Sequence, residues 1–144
     1  MIFNALIGNH DAHAKNFSLL YSAKTPALAP LYDTLSTAVY PALTPKMAMK
    51  IGSKYKFSEV QARHWGQFAE AVGLGKAQAK RRILALAKAL PASARKLQAE
   101  PGHKFAGNGV VERINALIEQ RCALTIRRLT DPAAESEAAA KRHP

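Results

Sequence analysis

The stretch from Gly8 to Asn16 constrains this chain more than any other. It reads Gly-Asn-His-Asp-Ala-His-Ala-Lys-Asn and lies between two apolar runs, Met1 to Ile7 and Phe17 to Tyr21. Apolar flanks draw the segment toward a core, yet burying a polar group without a partner costs roughly 2–7 kcal/mol, and a charge costs more. Two solutions are open. Either the run is an exposed turn whose polar groups bond the backbone, or a ligand and a metal satisfy them.

The pattern beyond the run supplies the next link. Phe17 to Tyr21 and Leu28 to Tyr32 read as short strands, with Ser22-Ala23-Lys24-Thr25-Pro26 as the turn between them. Such a hairpin predicts that Asn16, at the start of the first strand, lies near Asp33, at the end of the second. Asp11 and Asn16 themselves stand as Asp-x-x-x-x-Asn. In protein-kinase catalytic loops this spacing pairs an aspartate that accepts the acceptor's hydroxyl proton with an asparagine that holds Mg²⁺. A second aspartate must then hold the metal against the β- and γ-phosphates, and Asp33 is placed for that. Mg²⁺ takes hard oxygen donors and keeps several waters, so one carboxylate and one amide oxygen form a sufficient protein share. His13 and Lys15 are candidates to face the phosphates or the metal's water shell.

The remainder reads as mainly helical. Met1 to Ile7 is the end of a helix or a buried lead-in, and its abrupt apolar start suggests the tail of a longer protein. Thr34 to Pro45 is loop-like, and Met47 to Ile51 is a further short strand closed by Gly52. Ser58-Glu59-Val60-Gln61 matches a capping box. Behind it Val60, His64, Trp65, Phe68, Ala69 and Val72 share one helical face, and Gly73 and Gly75 stop the helix. A second helix spans about Lys76 to Leu90, where Pro91 kinks or restarts it. His103 to Gly109 reads as a Gly-rich loop, and a third helix covers about Val110 to Leu129. No internal repeat is visible.

Size and charge narrow the class. A chain of 144 residues suits one domain with a sizeable core. One cysteine, Cys122, excludes an internal disulfide framework and reads as a small buried apolar residue in a reducing, cytoplasmic setting. No apolar run approaches the ~20 residues of a membrane helix. The formal charge of +11 points to an anionic partner. However, Arg81, Arg82, Arg127 and Arg128 read as solvated helix faces, and no zinc-finger, RNP-like or helix-turn-helix pattern makes direct nucleic-acid binding primary.

Gly8-Asn9-His10-Asp11-Ala12-His13-Ala14-Lys15-Asn16-Phe17-Ser18-Leu19-Leu20 resembles the catalytic loop of HipA-type serine/threonine kinases, the toxins of toxin–antitoxin modules. Leu28 to Thr37 resembles their metal-binding segment, and Met47 to Gly52 with Arg63-His64-Trp65 resembles their C-terminal region. The resemblance implies the C-terminal lobe of a kinase-like HipA fold, mainly α with a small β-hairpin. It implies Asp11 as catalytic base, Asn16 and Asp33 as Mg²⁺ ligands, and His13, Lys15 and Tyr32 as neighbours of bound ATP. It further implies a protein serine as acceptor, with aminoacyl-tRNA synthetases the target type, and a small HipB-like DNA-binding antitoxin as partner.

A kinase also needs a phosphate-covering loop and a lysine for the α- and β-phosphates, and neither has a candidate before Asp11. The expectation is a lobe over residues 1–130 without its N-lobe, a flexible tail over 131–144, and no phosphoryl transfer by the chain alone. Two rivals remain. Gly8-Asn9-His10-Asp11 also matches the Gly-Asn-His-[Asp/Glu] signature of calcineurin-like metallophosphoesterases, where Asn and His serve a two-metal site. Alternatively, the lobe is a non-catalytic basic module that binds an antitoxin or an acceptor protein.

Overall fold

The computed structural model describes residues 1–21 and 25–131. The central residues of the first hairpin's turn, Ser22, Ala23 and Lys24, and the tail beyond Asp131 lie outside the described residues.

The first apolar run forms helix α1, Ile2–Ile7, which buries Ala5, Leu6 and Ile7 and ends on Gly8 in the left-handed region. A 3₁₀ turn, Ala14–Asn16, follows the polar run. Strands β1, Leu19–Leu20, and β2, Ala27–Leu28, pair antiparallel with Leu19 opposite Leu28. The hairpin therefore forms, but each strand is two residues long where the sequence suggests five. Its apolar side chains are not buried either: Leu19, Leu20, Tyr21 and Leu28 are 53%, 47%, 77% and 61% exposed. Backbone pairing and side-chain hydroxyls hold this hairpin, rather than packing against the core.

Strand β3, Lys46–Ile51, pairs with β4, Lys54–Lys56, in a second hairpin turned at Gly52. Lys54-Tyr55-Lys56 is too short for periodicity to reveal. Gly52 has φ +58°, and a Cβ there would lie 2.7 Å from the carbonyl oxygen of His64, so a glycine is required.

Helix α2, Ala62–Ala71, starts one turn later than the Ser58 capping box predicts. Gln61 is its N-cap, and the reciprocal partner is His64, whose Nδ1 accepts from the Gln61 backbone N–H at 2.8 Å. Ser58 instead lies in a 3₁₀ turn, Phe57–Glu59. Phe57 and Val60 are both buried there, and anchoring them uses up the residues a first helical turn would need. His64, Trp65 and Ala69 face the core as expected, whereas Val72 is exposed. Gly73, at φ +69°, ends the helix.

Helix α3 runs unbroken from Lys76 to Ala99 through Pro91. An interior proline costs about 3 kcal/mol; burial of Ile83 and Ala87 before it and Gln98 after it keeps both halves packed on α4, Gly109–Thr130. Asn108 caps α4 by accepting from the N–H groups of Val110 and Val111. At the far end of the pair, Arg95 bonds Glu112 and Glu119 while Gln98 bridges Glu112 and Asn115.

Leu6, Ile51, Val60, Trp65, Ile83, Ile118 and Cys122 belong to one core cluster shared by α1, β3 and the three long helices. Burying a Leu or Ile side chain contributes about 1.5–3 kcal/mol. Cys122 is 1% exposed, and burial pushes its thiol pKa up to about 11. Arg81, Arg82 and Arg127 are exposed. Arg128 is not a solvated residue: it donates to the carbonyls of Val60 and Ser58 and so ties α4 to the turn before α2. No helix among the described residues is long and apolar enough to cross a membrane.

Candidate active site

The polar run is a loop fastened from three directions. Gly8 takes φ +80° at the end of α1, and a Cβ there would come within 2.7 Å of Leu117 Cδ2 and 2.8 Å of Ala38 Cβ. Ser36 Oγ donates to the Ile7 carbonyl at 2.7 Å. Thr37 Oγ1 accepts the His10 N–H at 2.9 Å and lies 3.3 Å from the Gly8 carbonyl. On the other flank, the Ala48 N–H of β3 donates to the His10 carbonyl at 2.7 Å. Ser36 and Thr37 thus hold the loop's backbone.

Asn9 is 3% exposed and joins the two halves of the site. Its Oδ1 accepts the Asp11 N–H at 3.1 Å, and its Nδ2 donates to the Asp33 carbonyl at 2.9 Å. Asp33 has φ +55°, the sole positive φ among described non-glycine residues. Backbone strain of this kind costs of order 1–3 kcal/mol and persists where surroundings impose it. Here it turns the Asp33 carboxylate back toward Asn16, whose Nδ2 donates to Asp33 Oδ2.

The Asn16 side chain is buried, and its Oδ1 has no hydrogen-bond partner. The Asn16–Asp33 hydrogen bond thus holds an amide and a carboxylate, both carriers of hard oxygen donors, side by side. That set fits Mg²⁺, which would complete its shell with waters.

Asp11 carries a side chain 66% exposed, with Oδ1 3.1 Å from His13 Nε2. His13 thus meets Asp11 rather than the Asn16–Asp33 pair. Lys15 is exposed and contributes its carbonyl, which accepts the Tyr32 hydroxyl at 2.9 Å. Tyr32 Oη also lies 3.0 Å from Ser18 Oγ, so this tyrosine braces the hairpin beside Asp33.

His10 is engaged at both ring nitrogens. Nδ1 lies 3.1 Å from the Thr44 carbonyl and Nε2 3.4 Å from Arg121 Nη1. A carbonyl only accepts and a guanidinium only donates, so the proton sits on Nδ1 and the ring is neutral. Burial first, and Arg121 second, hold the His10 pKa below its ordinary value. A hollow of about 240 Å³ opens at this edge of the loop, lined by His10, Asp11, Thr37, Leu43 and Thr44. A larger groove of about 450 Å³, bordered by Trp65, Lys76 and Lys80, contains none of these residues.

The bridging by Asn9, the bracing of the loop by Ser36 and Thr37, and the part played by Arg121 were not legible in the sequence. Their roles rest on hydrogen bonds spanning 24 to 116 residues of chain, for which no local pattern exists.

Comparison with known proteins places the fold and the family. The model of the HipA-like C-terminal domain matches residues 1–94. A Sinorhizobium fredii protein that carries a kinase's name, Y4mE, is 52% identical over 82 residues, which are 57% of this chain and 20% of that protein. The serine/threonine-protein kinase toxin HipA of Shewanella oneidensis is 32% identical over 73 residues, 51% of this chain and 17% of the toxin. The chain thus spans about a fifth of the length of these relatives. Among solved structures, the complex of HipA, HipB and operator DNA from Shewanella oneidensis superposes with a TM-score of 0.77 at 23% identity. That match covers 89% of this chain and 30% of the other, and it bears out the mainly α fold with small hairpins. The chain belongs to the HipA-like C-terminal domain family.

Proposed function

We propose that the chain is the C-terminal catalytic lobe of a HipA-like serine/threonine kinase, transferring the γ-phosphoryl group of Mg-ATP to a serine of a protein acceptor. The observation that carries this reading is the Asn16–Asp33 pair. It has a buried amide whose oxygen lacks a partner, a carboxylate on a left-handed backbone that accepts from that amide's nitrogen, and a link through Asn9 to Asp11.

In this reading Asn16 Oδ1 and Asp33 hold the metal. When bound, Mg²⁺ neutralises charge on the β- and γ-phosphates. Asp11, exposed and anchored by its backbone, orients the serine hydroxyl and accepts its proton as the serine oxygen bonds to phosphorus and the bond to the ADP oxygen breaks. His13 steadies the Asp11 carboxylate, Lys15 faces the phosphates, and Tyr32 keeps the hairpin, and with it Asp33, in register.

The remaining nucleotide contacts belong to a further lobe. Support comes from the short span of the chain relative to its relatives and from the exposed Leu19, Leu20, Leu28 and Leu31 beside the site. A HipB-like antitoxin is the proposed partner, since the superposed HipA lies in a complex with HipB and DNA. An aminoacyl-tRNA synthetase is the proposed type of acceptor, on family resemblance. The phosphoesterase alternative needs His10 free to serve a metal site, whereas both its ring nitrogens are engaged.

The test is nucleotide binding and phosphoryl transfer by the chain, alone and mixed with a separately made HipA N-lobe. Transfer is expected in the mixture, to be lost in Asp11→Ala. A mixture that binds Mg-ATP no better than the N-lobe alone would leave the non-catalytic basic module as the answer.

A further inference from the structure

Arg121 is a costly residue to place where it stands. It is 9% exposed, and no carboxylate pairs with it among the described residues. Burial pulls its pKa down to about 10. Replacing such a group with an apolar one of similar volume is often neutral or stabilising, so its position calls for a reason beyond packing.

Its contacts supply one. Nε donates at 2.9 Å to the carbonyl of Ala5, in the last turn of α1. The guanidinium carbon lies 3.8 Å from the centre of the Phe57 ring, a cation–π contact that helps hold the group in place. So oriented, Nη1 faces His10 Nε2 at 3.4 Å, while Nη2 has no partner. Arg121 therefore touches the helix that leads into the loop and the residue immediately before Asp11. It comes from α4, outside residues 1–94 that the family model matches.

We propose that Arg121 is a positioning residue for the loop that carries Asp11, acting through His10. The proposal rests on the phosphoryl-transfer reading of Asp11. A guanidinium offers only donors, so its presence at Nε2 requires an unprotonated nitrogen there and places the ring proton on Nδ1, where it bonds the Thr44 carbonyl. With the ring tied at both nitrogens and the backbone tied to Thr37 and Ala48, His10 has no freedom to rotate. Asp11 then inherits a fixed starting point, with its own N–H bonded to Asn9. Without Arg121, only the Thr44 carbonyl holds the ring, and an imidazole turned away from it is free to take either tautomer.

The test uses the full chain labelled with ¹⁵N and needs no nucleotide. Long-range ¹H–¹⁵N spectra at neutral pH read the His10 tautomer, and hydrogen exchange reads the Asp11 amide. The expected wild-type state is a single Nδ1–H tautomer. In Arg121→Met the expected result is a mixture of tautomers with exchange at Asp11 about tenfold faster, while Ile83 and Ala87 amides in α3 keep their rates. His10→Phe, which keeps a ring but removes both nitrogens, is expected to accelerate Asp11 in the same way and serves if Arg121→Met does not fold. An Nε2–H tautomer in the wild type overturns the proposal. So does unchanged Asp11 exchange in these variants, or acceleration spread evenly over α3, which would mark a merely structural role. The transfer assay alone decides the phosphoryl-transfer reading, so failure of one is distinguishable from failure of the other.

Discussion

Asn9 donates through Nδ2 to the backbone carbonyl of Asp33 at 2.9 Å, while the same amide's oxygen accepts the Asp11 N–H at 3.1 Å. One buried side chain thus sets the relative position of the proposed base and the proposed metal ligand. Asn9→Ala strands a carbonyl and an N–H, and losing a buried partner of this kind costs about 1–3 kcal/mol. Urea unfolding should show a lower midpoint with an unchanged slope. A midpoint equal to the wild type would mean that the bridge carries no weight.

The metal pair makes a separate claim. With Mn²⁺ as probe, Asp33→Asn and Asn16→Ala should each weaken binding by at least ~100-fold, since both change a proposed direct ligand. Asn9→Ala should weaken it by about 10–100-fold, as loss of an outer partner does. Paramagnetic titration of free Mn²⁺ measures all three. Binding by Asp33→Asn at wild-type strength would place the cation elsewhere.

Two glycines separate strain from collision. Gly8 and Gly73 both have left-handed backbones, but a Cβ at Gly8 would collide with Leu117 and Ala38 while none lies within 4 Å at Gly73. Gly73→Ala should cost about 1–2 kcal/mol from the backbone alone. Gly8→Ala adds overpacking of typically 1–3 kcal/mol. Thermal denaturation should therefore lower the Tm clearly more for Gly8→Ala; equal shifts would sink the assignment.

The pH profile should carry a His10 component. Its folded pKa lies below the ordinary histidine value because of burial and then Arg121. The unfolded chain therefore binds its proton first as pH falls, and stability rises with pH across that window. The contribution is fully present above the unfolded value of about 6.5 and is lost as pH falls toward the folded pKa. His10→Phe should flatten the profile as pH falls below about 6.5. A wild-type profile as flat as the variant's would show that the imidazole is not held neutral by its surroundings.

Part of this site was legible because it is local. The Asp11 to Asn16 spacing and the turn signals after Tyr21 are readable within a window of a few residues. The predicted approach of Asn16 to Asp33 matches a hydrogen bond in the structure. The same logic failed for Ser58, because Ser-Glu-Val-Gln satisfies a capping pattern while burial of Phe57 and Val60 selects Gln61 and His64 instead. It failed again at Pro91, where packing on both sides outweighs a propensity that would break an isolated helix. Leu19, Leu20 and Leu28 misled in the opposite direction: they are apolar, and the hairpin leaves them in solvent.

By itself, the sequence determined the polar run, its spacing, the hairpin and the three long helices, because each is a matter of residues within a few turns of one another. The tertiary structure decided what holds the loop. Asn9 reaches Asp33, Ser36 and Thr37 reach the end of α1, and Arg121 reaches back to Ala5 and His10. Those bonds join parts of the chain whose separation is set only when α1, β3 and α4 pack into one core. A hydrogen bond needs its partners within a few tenths of an ångström, and periodicity specifies faces, not distances.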